Sequence, residues 1–94
     1  MSITRINNFS AADGKCEELS TFLQSLILYI TNSAGNISCE VLRHQDSEEK
    51  FIVIEKWQDV ASHQLSLANF PIDKMQAAME LFGQPPSSAS YLSI

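Results

Sequence analysis

Basic residues are scarce. The chain has six lysines and arginines against eleven acidic residues, a net charge of −5 at pH 7. The six (Arg5, Lys15, Arg43, Lys50, Lys56, Lys74) are scattered, with no run to track phosphates, which argues against nucleic-acid binding. Long apolar runs are missing too. None reaches the roughly 18–20 residues of a membrane span, and the N-terminal residues have no apolar signal core, so no membrane partner and a cytoplasmic location are expected. There are only two cysteines, Cys16 and Cys39. They have no CxxC spacing, fall in apolar registers and read as buried thiols rather than a disulfide. No Walker loop, G-x-G-x-x-G, G-x-S-x-G, H-E-x-x-H or zinc spacing occurs. The two histidines, His44 and His63, stand far apart with no cysteine pair near them, a weak case for a metal site.

What is present is a folded globule. Hydrophobic residues make up 45% of the 94 positions, too many for a disordered chain. The length suits one domain, residues 1–94. So short a chain buries only roughly 60–65% of its unfolded surface, so a partner subunit is a reasonable expectation.

The most informative stretch is Phe51–His63. Phe51, Val53, Glu55 and Trp57 fall on one face of a strand and Ile52 and Ile54 on the other. Four apolar residues in succession predict that both faces are covered. Upstream, residues 2–9 read as a strand with Ile3, Arg5, Asn7 and Phe9 on one face. Asp13 is a plausible N-cap for a long helix, about 14–33, whose apolar stripe is Cys16, Leu19, Leu23, Leu26, Ile27 and Ile30. Gly35 suits the left-handed turn that closes it. Residues 36–45 form a second strand, joined to Phe51–Trp57 by a short polar loop, so the two should pair antiparallel. A short helix, about 59–69, carries His63. Pro71 opens another, in which Ile72, Met75, Met79 and Phe82 share a face. Pro85-Pro86 stops it, and 87–94 form a last strand.

The order β-α-β-β-α-α-β predicts an α+β, ferredoxin-like split βαβ fold with a four-stranded antiparallel sheet. The helices cover one face. Nothing else in the chain can cover the other, so a homodimer packed sheet to sheet is expected.

Several residues could carry chemistry. His63 lies six residues past Trp57 near a helix start and could exchange a proton as a neutral imidazole. Glu55, on a buried strand face, needs a partner; Arg43 or Lys56 could supply it, or it could act as a base of raised pKa. Asn7 is an unusual strand residue that either sits at an edge or points an amide into a pocket. Trp57 is either core or a flat wall for an aromatic ligand, and Met75, Met79 and Phe82 are either core or the apolar side of a cavity. His44 reads as exposed and idle.

The Asp13-Gly14-Lys15 turn before a leucine-rich helix, the F-x-x-x-E-x-W run Phe51–Trp57, the helix with His63 and the final P-x-x-x-x-x-Y strand together resemble the antibiotic biosynthesis monooxygenase (ABM) family. The resemblance covers nearly the whole chain. It implies a dimeric α+β barrel with a hydrophobic pocket between sheet and helices. Members similar to this chain include quinol monooxygenases and oxygenases of polyketide aromatic rings, which work without metal or flavin, so no cofactor is expected. Asn7 matches an asparagine used by related haem-degrading members. Their helix tryptophan and later histidine are missing here, which disfavours haem degradation.

Two functions of different class follow. One is a small monooxygenase for a hydrophobic phenol, hydroquinone or polyketide-like aromatic. There Trp57, Met75, Met79 and Phe82 hold the ring, His63 or Glu55 takes the proton, and Asn7 orients an oxygen. The other is a non-catalytic dimeric domain that binds a small apolar ligand or serves a stress-associated role. Haem or metal binding through His44 or His63 is a weaker third reading.

Overall fold

The structure is a computed structural model that describes residues 2–94. Its elements are β1 (Ile3–Ala11), α1 (Cys16–Thr31), β2 (Asn36–Arg43), β3 (Lys50–Trp57), α2 (Val60–Asn69), α3 (Ile72–Met79) and β4 (Phe82–Leu92). This is the expected β-α-β-β-α-α-β order. The strands form one antiparallel sheet in the order β2-β3-β1-β4, with β3 and β1 in the centre.

The register decides what shares a face. Ile3, Arg5, Asn7 and Phe9 of β1 stand opposite Trp57, Glu55, Val53 and Phe51 of β3. On β2, Cys39 and Val41 stand opposite Glu55 and Val53. The long helix packs on this face because its leucines recur at the helical period. Leu19 and Leu23 are wholly buried with Ala11, Phe51 and Val53, and Ile30 joins Ile3 and Trp57 about two turns further along. Each such side chain contributes about 1.5–3 kcal/mol by leaving water.

Asp13 does not cap α1. Gly14 takes φ +75°, and the Lys15 N–H donates to the Ala12 carbonyl at 2.9 Å, so a turn closes first. The helix then starts at Cys16 with no side-chain cap, and Glu17 and Glu18 lie in its first turn, where the helix dipole favours them. At the other end Gly35 takes φ +85°, as a left-handed turn requires. A Cβ there would collide with the side chain of Ser62, and the Gly35 carbonyl accepts from the Gln58 N–H at 2.9 Å. The turn before β2 is thereby pinned against the start of α2.

The last strand begins at Phe82 rather than after the prolines. Asn8 pairs with Ser87 and Ser10 with Gln84, so Pro85 and Pro86 together oppose Phe9 in a bulge. An edge strand tolerates this, because a proline there need not donate to the ladder. Gly83 sits at a second irregularity, where a Cβ would come within 2.8 Å of the Ala11 carbonyl oxygen. The expected helical face Ile72–Met75–Met79–Phe82 is corrected accordingly. Helix α3 stops at Met79, Phe82 is fixed in β4 opposite Ala11, and Ile72 and Met79 are exposed at 73% and 62%.

The other sheet face carries Ile6 directly opposite Ile54 and Leu42 directly opposite Ile52. Ile6, Ile52 and Ile54 are only half-buried, and Leu42 is exposed.

Candidate functional site

The helix-covered face is not apolar throughout. Asn7 and Glu55 are buried on it and Ser66 on the facing α2, each less than a tenth exposed. Asn7 is in the middle of β1, between β3 and β4. Its Nδ2 donates to the Glu55 Oε2 at 2.6 Å and to the Val53 carbonyl at 3.1 Å, and its Oδ1 accepts from the Ser88 hydroxyl at 2.8 Å. Both amide hydrogens are therefore used. The other Glu55 oxygen, Oε1, accepts from the Trp57 indole N–H at 3.0 Å. Trp57 is fully buried, so this bond holds both side chains rigidly.

Neither cation expected to partner Glu55 does so. Arg43 turns to Glu17 of α1 at 2.8 Å and lies over the Phe51 ring. Lys56 is exposed, since alternation sends it to the opposite face from Glu55. Two neutral donors solve the buried carboxylate instead, an outcome the linear spacing of charges does not reveal.

His63 comes from the first turns of α2, whose start is set by the Asp59 side chain accepting from the Ser62 N–H at 2.7 Å. Its ring meets the Trp57 ring edge-on, with centroids 5.7 Å apart. Burial and the Arg5 guanidinium hold the His63 pKa below the ordinary imidazole value of 6.5, and the weaker pull of Glu55 opposes them. The imidazole is therefore neutral at pH 7 and able to accept a proton.

These groups line a cavity of about 210 Å³ between sheet and helices. Of the residues singled out in the sequence, it gathers Asn7, Glu55, Trp57, His63, Met75 and Phe82. Met79 is not among its walls and points to solvent. The structure adds Arg5, Tyr29, Ser66 and Phe70. Tyr29 donates to the Ser66 carbonyl at 2.6 Å and meets Phe70 edge-on, which ties α1 to α2 and to the segment beyond it. Arg5 had a signal, because alternation placed it on one face with Ile3, Asn7 and Phe9. Tyr29 and Phe70 had none, since their meeting depends on how the helices pack.

Two larger hollows, about 400 and 600 Å³, lie at the β2–β3 end of the sheet and between α1 and α3. Neither combines a buried polar side chain with an imidazole, so size does not decide the site. His44, on the rim of the first, uses its Nδ1 to accept from the Asp46 and Ser47 N–H groups and so shapes the hairpin. The cysteines are free, and burial, with Glu55 and Glu40 nearby, pushes the Cys39 thiol up to about 12. No three His, Cys, Asp or Glu side chains gather into a metal-binding group among the described residues. No helix among them is long and apolar enough to cross a membrane.

The fold and site define a ferredoxin-like α+β protein with an apolar cavity under its helices. The family model for antibiotic biosynthesis monooxygenases matches residues 2–81, and the chain belongs to that family. The solved structures agree on the fold. SnoaB, a cofactor-independent oxygenase from Streptomyces nogalater, is 17% identical with a TM-score of 0.85, covering 99% of this chain and 93% of that one. A protein from Shewanella oneidensis is 26% identical with a TM-score of 0.82, over 96% of this chain and 88% of that one. A conserved protein from Methanosarcina mazei is 17% identical with a TM-score of 0.87, over 97% and 91%. No curated protein matches by sequence.

Proposed function

We propose that the chain is a small monooxygenase that needs no cofactor and oxidises a phenol, hydroquinone or related aromatic in the cavity beside His63. One observation carries this reading: an imidazole stands edge-on to a rigid, buried tryptophan in a mainly apolar cavity whose only carboxylate is already held by two donors. The membership in the monooxygenase family supports it. The cavity is smaller than the roughly 300 Å³ of ordinary drug-sized sites, so it suits a ligand of one or two rings.

His63 takes the phenolic proton as general base. The resulting phenolate is electron-rich, and the mainly apolar walls screen it less than bulk water would. The stoichiometry closes without an outside reductant. In a phenol or naphthol with a free para position, the ring C–H para to the hydroxyl becomes C=O. In a hydroquinone, a ring C–H beside a hydroxyl becomes C–OH while the two hydroxyl carbons become the carbonyls of a quinone. In both, one oxygen atom of O₂ enters the ring product and the other leaves as water. The substrate supplies all four electrons. Trp57, Met75 and Phe82 bound the ring. Glu55 and Asn7 act as positioning residues, because Asn7 has no spare amide hydrogen for a substrate oxygen and Glu55 holds the indole in place.

The functional unit in this proposal is a dimer, joined through the apolar band of Ile6, Ile52 and Ile54 on the uncovered sheet face. The reading is tested by oxygen uptake with metal-free protein and a panel of hydroquinones and naphthols. Uptake that is lost in His63→Gln supports it. No uptake above background for any member of the panel sinks it and leaves the non-catalytic ligand-binding alternative.

A further inference from the structure

Arg5 stands directly across from Glu55 in the pairing of β1 with β3, yet the two make no ion pair among the described residues. The carboxylate is occupied by Asn7 and Trp57. The guanidinium turns the other way, toward the edge strand, and donates one N–H to the Ser90 hydroxyl at 2.8 Å. Its Nε–H is shut off from water and donates to nothing. A buried donor on a permanent cation is costly to leave unmet. Arg5 lines the cavity together with His63.

We propose that Arg5 is the oxyanion-binding residue of this cavity and that its ligand is a planar aromatic bearing an ionised oxygen, a phenolate or carboxylate, set against the guanidinium. The flat fork of N–H groups matches such an oxygen better than any other side chain in the cavity. Ser90 steers the fork from the edge strand, while the apolar walls take the ring. A phenol that enters neutral breaks its O–H bond, the proton bonds to His63, and the oxygen keeps the electron pair facing Arg5. The charges then separate within the cavity between two cationic groups, with Glu55 balancing one of them. Burial and, second to it, the same guanidinium lower the His63 pKa in the empty site, which favours the neutral imidazole that takes that proton. This inference deepens the reading of the cavity as a ligand site but does not depend on oxygen chemistry.

The test is calorimetric titration of the intact protein under argon with 2-naphthoate and with its neutral isostere, 2-naphthamide. The anion should bind about tenfold or more tighter, as charge-assisted bonds do. Arg5→Gln should abolish that preference and leave amide binding within about twofold, and Arg5→Lys should restore part of it. Equal affinities in the unaltered protein, a preference that survives Arg5→Gln, or no binding of either compound at millimolar concentration overturns the proposal. An anion preference without oxygen uptake removes only the monooxygenase reading, and uptake without an anion preference removes only this one.

Discussion

The two faces of the central sheet come from the same strands and solve opposite problems. On the helix-covered face, β1 and β3 place Asn7, Glu55 and Trp57 among leucines, and each of these three finds a hydrogen-bond partner within the sheet. On the other face the same strands place Ile6, Ile52 and Ile54, which need no hydrogen bonds and have no helix to cover them. Covered polar groups thus mark the site, and uncovered apolar ones mark the surface proposed for assembly. Polarity and burial are exchanged between the faces relative to the ordinary rule, and both exceptions carry function in the proposed reading.

The sharpest way to break this contrast is Trp57→Ala. It removes a fully buried indole and leaves the Glu55 Oε1 without its donor, so a loss of about 3–5 kcal/mol is expected in chemical denaturation. A loss under about 1 kcal/mol would mean that the covered face tolerates a cavity and an unpaired carboxylate. His63→Gln should cut oxygen uptake about 100-fold or more while changing stability little. In the unaltered protein, activity should persist at pH values below 6.5 and fall only as the imidazole finally protonates. The sign for stability follows from the same lowered pKa. As pH drops below 6.5 the unfolded chain binds a proton before the folded one does, so folding weakens until the folded imidazole also titrates. His63→Gln should flatten that part of the pH–stability curve.

Gly35→Ala tests how α2 is aimed at the cavity. The positive φ and the collision with Ser62 together should cost about 1–3 kcal/mol, measured by thermal or chemical unfolding. On the uncovered face, Ile54→Lys should convert the proposed dimer to monomer in sedimentation velocity and leave the helical circular dichroism unchanged. A dimer that survives it points to assembly through another surface. The smallest effect is expected for Met79→Ala. Its side chain is in solvent, so stability and ligand affinity should stay within about 0.5 kcal/mol, whereas Met75→Ala should weaken aromatic binding.

Much of this contrast was legible in the chain. Alternation alone put Phe51, Val53, Glu55 and Trp57 together and Ile52 and Ile54 apart from them, because strand periodicity is a local property. It also put Arg5 beside Asn7, although only the buried, unbonded Nε gives that placement meaning. The spacing of Met75, Met79 and Phe82 misled, because it assumed a helix that runs on to Gly83. A bulge at Pro85-Pro86 and the close approach of Gly83 to Ala11 recruited Phe82 into β4 instead. Those constraints come from a strand more than seventy residues away in sequence.

The sequence by itself determined the element order, the sidedness of each central strand and the corner at which Glu55, Trp57 and His63 approach one another. These follow from periods of 2 and 3.6 and from turn residues, which act over a few positions. Only the tertiary structure decided which partners the polar groups take. Asn7 reaches Glu55 and Ser88, Glu55 reaches Trp57 rather than Arg43, and Arg5 is left with a buried, unbonded Nε. Hydrogen bonds act over about 3 Å, and strand register and helix packing, not distance along the chain, bring those atoms within reach.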